Sequence, residues 1–377
     1  MTSPRVLHVV ENMHRGAVEN WLVRMYAHAK MRDICLDWTF YCMDGRPGDL
    51  DDTVISLGAT IIYSPVVLSD VRAFVRSLRR EIVRGGYDVV HAHHDLASAL
   101  YLLAAIGLPV RRRITHIHNA EEAVPVAVWK QRILREPFRH VCLKLSDRVV
   151  GISNHVLDKF IRQQPRRPGR DVVHYYGVDP RPFLEARRDR DRFRRVHDLP
   201  PDARIAVFAS RLVPEKNPTF FIEILDAMMR KEPSVYGVIV GSGGEESSVL
   251  DLIRKKGIGE RVRMLGWQTN VAAILVNCDW FILPRPDWPK EGLGLAVVEA
   301  QLAGLKVLVS NGILDDAFLP GSAHARLPVC DNADEWARAA LELDSEMAPT
   351  PQDVAAVLRT TAFDLDYALI DLMALHA

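Results

Sequence analysis

Short runs of apolar and β-branched residues alternate along the chain with longer stretches whose apolar positions recur every three or four residues. In the first half the runs that read as strands are RVLHVV (Arg5–Val10), DWTFYC (Asp37–Cys42), TIIYS (Thr60–Ser64) and DVVHAH (Asp88–His93). They continue with RITHIH (Arg113–His118), RVVGIS (Arg148–Ser153) and VVHYY (Val172–Tyr176). Between them, VENWLVRMYAHAK and VRAFVRSLRREIVRGG carry helical periodicity, and the second closes on a glycine pair suited to a helix C-terminus. A polar, proline-bearing segment from Asp179 to Pro201 interrupts the pattern, which then restarts. The second set is RIAVFAS (Arg204–Ser210), VYGVIVG (Val235–Gly241), RVRMLG (Arg261–Gly266), WFILP (Trp280–Pro284) and KVLVS (Lys306–Ser310). Strands separated by helices predict parallel sheets covered on both faces. The expected fold is therefore α/β, with two doubly wound Rossmann-like domains facing an interdomain cleft. The expected boundaries are residues 1–185, residues 186–355 and a C-terminal helix over 356–377. That tail has apolar residues at helical spacing (Leu365, Leu369, Leu372, Leu375) and is expected to pack back on the first domain.

Length supports two cores rather than one, since 377 residues exceed an ordinary single domain. A hydrophobic content of 48% and a charged content of 25% fit a soluble globular enzyme. The opening residues MTSPRVLHVV lack the pattern of a secretory leader, and the longest apolar run, Ala99 to Val110, is too short to cross a bilayer. The five cysteines are scattered without metal-site spacing and read as reduced thiols. A cytoplasmic protein is expected. Net charge is zero but unevenly spread. Residues 1–198 hold 32 Lys+Arg against 23 Asp+Glu, leaving 16 against 25 in the remainder. Basic clusters occur at Arg111–Arg113, Arg162–Arg170 and Arg187–Arg195. They read either as a solvated arginine-rich surface or as a patch for an anionic membrane face, where each basic residue adds about 1 kcal/mol. Nucleic acid is not expected as a partner, because no recognition motif or interleaved aromatics accompany the charge.

Candidate chemistry narrows the class. ENMHRGAVEN after the first strand has one glycine, Gly16, and not the G-x-G-x-x-G of dinucleotide binding; a P-loop is absent as well. In the second half SRLVPEKN places Arg211 and Lys216 on a loop that opens a helix, a combination suited to a diphosphate. VGSGGEE follows another strand. EGLGLAVVEA repeats the logic, with glycines that let backbone approach a ligand and a helix that offers its amides. Two glutamates eight residues apart, Glu291 and Glu299, flank that stretch.

Taken together these motifs resemble retaining GT-B glycosyltransferases of family 4. The resemblance rests on the spacing of Glu291 and Glu299, preceded by SRLVPEKNP, VIVGSGG and VRMLGW. It also rests on HVVENMHRGAVENWL, DVVHAHHDLAS, THIHNAEE, RVVGISNHV and YYGVDPRPF in the family's order. It spans residues 5 to 375, and its wording is most similar to members that build exopolysaccharide and capsule. It implies a hexose-type transfer from a UDP-sugar or GDP-sugar to a glycan or polyprenyl-diphosphate-linked acceptor, with retention of configuration. No metal and no cofactor is implied, because Arg211 and Lys216 take the place of a cation at the diphosphate. Glu291 faces the donor sugar's hydroxyls and Glu299 the ribose. The backbone of Gly294, Leu295 and Ala296 approaches the phosphate, while Gly241 and Trp267 lie along the nucleotide. From the first domain, His118 and Asn119 project onto the sugar and Gly16 lets its loop pass close by. Catalytic roles are thus implied for His118, Glu291, Arg211 and Lys216.

Two departures from the family pattern stand out. Gly16 is followed by Ala17 where a second glycine is usual, which predicts strain if that position needs a positive φ. Tyr176 stands where an asparagine is usual. The altered loop motivates a rival reading, a catalytically idle GT-B protein that binds a sugar nucleotide or a partner; a sugar-nucleotide epimerase is a second rival. His91, His93, His94, His116 and His118 end two strands, but alternation sends His94 to the opposite face from His91 and His93. A metal site is the lesser reading; they are expected to be ordinary packed or hydrogen-bonded histidines, with His118 keeping its separate sugar-contact role.

Overall fold

The computed structural model describes residues 3–119, 135–186, 188–343 and 349–377. Ala120 to Glu122 of THIHNAEE and Arg187 of the third basic cluster lie outside them. The chain forms two compact units, Met1–Gly177 with Ala362–Ala377, and Val178–Thr361.

In the first unit the strands are β1 (Arg5–Val10), β2 (Asp37–Cys42), β3 (Thr60–Tyr63), β4 (Val89–Ala92), β5 (Arg112–Ile117), β6 (Arg148–Gly151) and β7 (Asp171–Val173). They pair in the order 3-2-1-4-5-6-7, all in parallel. Central strands buried on both faces explain why RVLHVV and DWTFYC read as nearly continuous apolar runs. One face of the sheet packs Leu7, Val9, Tyr41 and Val90 against Phe74, Leu78 and Ile82 of helix Val71–Gly85. The other face is unusual: it carries His8, His91 and His116, all fully buried, with Trp21 of helix Ala17–Met31 set against them.

The second unit has β8 (Arg204–Ala209), β9 (Val235–Val240), β10 (Val262–Gly266), β11 (Trp280–Leu283), β12 (Lys306–Ser310) and β13 (His324–Leu327). Their order is 10-9-8-11-12-13, again all parallel. β13 is a four-residue edge strand with one polar and one basic position, too weak a pattern to be expected from sequence. In each sheet the order reverses at one place, between β1 and β4 and between β8 and β11. Loops leaving adjacent strands in opposite directions open a crevice there, where ligands bind in doubly wound sheets.

The chain changes units eight residues earlier than the 185/186 boundary expected from sequence. The supposed linker is largely helical, with Arg181–Glu185 and Arg190–Val196. Its arginines explain the allegiance: Arg190 Nη2 donates to the Cys278 carbonyl (3.2 Å) and lies 2.9 Å from Asp279 Oδ1. The return falls at 361/362 rather than 355/356, because helix Pro351–Leu358 packs on helix Leu295–Leu302 of the second unit. The last helix, Leu365–His376, packs on helix Ala17–Met31, where Asp366 Oδ1 lies 2.7 Å from both His28 Nε2 and Arg32 Nε. No helix among the described residues is long and apolar enough to cross a membrane.

Candidate functional site

In the second unit, the loops after β8 and β11 meet through charge. Lys216 ends a short turn, Pro214–Lys216, and the next residue, Asn217, adopts φ 52°. Asn tolerates this left-handed conformation better than most residues. Its side-chain amide then donates to the Pro284 carbonyl (3.1 Å), tying the lysine turn to the end of β11. Lys216 Nζ donates to Glu291 Oε2, and Arg285 Nη1 donates to the same oxygen at 2.9 Å. Arg285 is 3% exposed and also donates to the Pro289 carbonyl. Burial pushes the Glu291 carboxyl up, but Lys216 and then Arg285 outweigh it and hold the group below the usual carboxylate range. Glu291 is thus a half-buried carboxylate held ionised by two cations, and the three side chains carry a net positive charge.

Beside the β8 and β9 ends lies a cavity of about 220 Å³, whose lining includes Arg211, Gly241, Trp267, Gln268, Ala296 and Glu299. Gly241 has φ 133°, and a Cβ there would sit 2.0 Å from the Ser210 carbonyl oxygen, so only glycine fits. Trp267 is 53% exposed. Gly294, at φ 80°, is the N-cap of helix Leu295–Leu302; a side chain would be strained there, costing roughly 1–2 kcal/mol. Glu299 projects from that helix onto the cavity, one turn beyond Ala296.

Of the residues singled out from sequence in this unit, the structure gathers Arg211, Gly241, Trp267, Ala296 and Glu299 around one cavity. It joins Lys216 to Glu291 in the ion cluster and puts Gly294 and Leu295 at the helix start. Sequence reasoning missed Arg285. Its signal was an arginine directly after an apolar strand, in FILPRPDW, where water is scarce and a charge needs a partner.

The first unit holds the other three. Gly16 is in extended conformation and caps helix Ala17–Met31, so Ala17 starts a helix and the predicted positive-φ strain does not arise. The His118 amide and the Asn119 side chain both donate to the Asp95 carboxylate, at 2.8 Å each. Both ring nitrogens of His118 are engaged inside this unit. Nε2 lies 3.2 Å from His93 Nδ1, and Nδ1 bonds the Tyr176 hydroxyl. Tyr176, the residue at the asparagine position, is fixed by stacking on Trp21 (4.6 Å, 11°). Burial, aided by His174 and His94, lowers His118 to about 3, so its ring is neutral. Asp95, which anchors both His118 and Asn119, was not anticipated from sequence.

Two features therefore coexist in the chain: doubly wound sheets with reversed strand order, and a cationic cluster with a cavity in the second unit. Family models agree with this. "Glycosyltransferase Family 4" matches residues 24–181, and "Glycosyl transferases group 1" matches residues 189–346. The chain belongs to the GT-B glycosyltransferases of group 1 and family 4. Among its relatives is EpsF of Bacillus subtilis, named as a glycosyltransferase. It is 25% identical over 366 residues, covering 96% of this chain and 93% of EpsF. An Escherichia coli UDP-Gal:α-D-GlcNAc-diphosphoundecaprenol α-1,3-galactosyltransferase is 27% identical over 287 residues, 73% of this chain and 71% of that protein. Among solved structures, Anabaena HepE in complex with UDP-glucose superposes with a TM-score of 0.77 at 18% identity, covering 98% of each chain. At that identity the likeness speaks for the fold.

Proposed function

We propose that the chain is a retaining, metal-independent glycosyltransferase that moves a hexose-type sugar from a nucleoside-diphosphate sugar to a glycan or lipid-linked glycan in surface polysaccharide biosynthesis. The observation that carries this reading is the second unit's pairing of a half-buried Lys216–Glu291–Arg285 cluster with the cavity under Arg211 and Glu299. In this reading the diphosphate takes over part of Lys216's charge from Glu291, and the freed carboxylate turns to the sugar hydroxyls. Arg211 and the amides after Gly294 complete the phosphate site, Glu299 accepts from the ribose, and the exposed Trp267 frames the base. Fixed cations and amides stabilise the negative charge that develops on the departing diphosphate, which is where such groups act most strongly. UDP is favoured over GDP as the carrier, since one relative is named for UDP-Gal and one neighbour is solved with UDP-glucose. The polyprenyl-diphosphate-linked acceptor is supported by the same galactosyltransferase's name.

Docking on an anionic membrane face is supported less by the basic clusters singled out from sequence than by helix Val71–Gly85. Arg113, Arg162, Arg166 and Arg170 in those clusters are paired with acids. The helix instead exposes Arg72, Arg76 and Arg80 beside Val71 and Val83, while its Arg84 pairs with Glu81.

The test is turnover. UDP- and GDP-sugars incubated with polyprenyl-diphosphate-linked glycans should yield a product heavier by one hexose with its anomeric configuration retained. Binding of nucleotide without any transfer would favour the idle protein. Release of an epimerised nucleotide sugar without acceptor would favour the epimerase.

A further inference from the structure

Seven histidines from distant parts of the chain meet inside the first unit. His8 comes from β1, His91 from β4 and His93 from just beyond it, His116 from β5 and His118 just past it, His174 from beyond β7, and His376 from the last helix. All are buried, none more than 8% exposed. Six of the rings are linked in two rows, while His174 pairs with Asp371. In one, His8 Nδ1 lies 2.9 Å from His93 Nε2, His93 Nδ1 lies 3.2 Å from His118 Nε2, and His118 Nδ1 meets the Tyr176 hydroxyl. In the other, His376 Nε2 is 3.0 Å from His91 Nδ1, and His91 Nε2 is 3.2 Å from His116 Nδ1. His116 Nε2 ends that row, buried and without a hydrogen-bond partner among the described residues.

We propose that His93, His116 and His118 form a three-nitrogen site for one borderline divalent cation of the zinc, cobalt or nickel kind, at the C-terminal ends of β4 and β5. One nitrogen from each of these rings lies within 4.8 Å of the other two. Hydrogen bonding selects which. If His93 Nδ1, His118 Nε2 and the unpartnered His116 Nε2 bind the cation, each ring's remaining N–H points at an acceptor. His93 Nε2 donates to His8 Nδ1, His118 Nδ1 to the Tyr176 oxygen, and His116 Nδ1 to His91 Nε2. A metal-bound imidazole requires this outward donor, which fixes its tautomer and orientation. No net proton has to leave: the proton that bridges His93 Nδ1 and His118 Nε2 before binding passes to His118 Nδ1, beside the Tyr176 oxygen, so each neutral ring still carries a single N–H. The overlapping trio His8, His91 and His93 is a poorer set, since both nitrogens of His91 are held by rings outside that trio, His376 and His116, whereas the contact given up in the chosen set lies between two of its own ligands.

An all-imidazole set without thiolate suits zinc, cobalt, nickel or copper rather than magnesium or calcium. Bonds of about 2.0–2.1 Å put tetrahedral ligand nitrogens roughly 3.4 Å apart, so binding draws the rings inward by side-chain rotation. Three protein ligands leave a fourth position for water or another oxygen. His93 and His118, at 6% and 8% exposure, are the ligands nearest solvent, so that position opens at the strand ends. This site is separate from the diphosphate site of the second unit and does not depend on it.

The test uses the intact chain, stripped with a chelator and then given Zn2+ or Co2+. One equivalent should bind, Co2+ should show the visible absorption of a four-coordinate centre, and Zn2+ should raise the melting temperature. The imidazole 15N spectrum should change at His93, His116 and His118, which identifies the ligands without any substitution. His116→Gln should abolish the stoichiometric binding. The proposal is overturned if folded wild-type protein binds only sub-stoichiometric cation, if its 15N shifts move at other histidines, or if a folded His116→Gln variant binds as the wild type does.

Discussion

The two units share an all-parallel, doubly wound sheet with one reversal of strand order, yet they treat buried ionisable groups in opposite ways. At the strand ends of the first, desolvation dominates: His8, His91, His93, His116, His118 and His376 are all pushed down toward the neutral form, and neighbouring histidines reinforce the shift. At the strand ends of the second, desolvation is also the largest influence on Glu291, but Lys216 and Arg285 together overcome it and the carboxylate stays charged. Burial alone therefore does not decide ionisation; the sign of the nearest partner does. Like groups crowded together lose charge, whereas a carboxylate between two cations keeps it. A neutral imidazole cluster suits a cation or a hydrogen-bonded sugar, and a net-positive cluster suits an anion.

The largest effect expected from this contrast is on acid stability. A histidine whose folded pKa is depressed leaves the unfolded chain binding more protons below about pH 6.5. Its contribution is complete above that pH and is lost as the pH falls toward the folded value. Each such histidine costs roughly 1 kcal/mol per pH unit in that window, and the six named here act together. Urea unfolding of chelator-treated protein at pH 7.5, 6.5 and 5.5 should show stability collapsing between the last two. A flat profile would mean that the cluster is solvated and the contrast is lost.

Next in size, Arg285→Ala should cost about 3 kcal/mol of folding stability, because it removes a partner from a buried ion cluster. A loss under about 1 kcal/mol, the surface-pair value, would show that Glu291 is wetter than its surroundings indicate. Lys216→Ala should weaken binding of both UDP-sugar and UDP by about 1.5–3 kcal/mol, the range for a charge-assisted hydrogen bond; unchanged calorimetric affinity would remove Lys216 from the site. The smallest effect is Glu299→Gln, about 1 kcal/mol on UDP and none on pyrophosphate. Equal losses on both ligands would place Glu299 at the phosphates instead of the ribose.

Much of this was legible in the sequence. Twelve of the strands were foreseeable from apolar runs bounded by turns, because strands buried on both faces leave a strong local signal. The glycine-flanked glutamates and the SRLVPEKN loop announced the second unit's site for the same local reason. What was not legible depends on topology. The spacing of His91 with His93, and of His116 with His118, puts each pair on one face, but nothing local says that β1, β4 and β5 are neighbours. Nor does it say that His376 returns from the far end of the chain to stand 3.0 Å from His91. Arg285 reads as one more surface arginine until the ends of β8 and β11 are brought together. The proline-bearing stretch after Asp179 reads as a linker because its partners come together only in the folded second unit, where Arg190 donates to the Cys278 carbonyl and Arg263 donates to the His197 carbonyl.

The central claim is that the positive cluster of the second unit receives a nucleoside diphosphate. Calorimetric titration of the intact chain with UDP and GDP, alongside uridine and guanosine, tests it most directly. Saturable binding of at least one diphosphate at one site per chain is expected, weakened by added salt, with the matching nucleoside binding far more weakly. If neither diphosphate binds at millimolar concentration, or if the nucleoside binds as well as its diphosphate, the claim is contradicted.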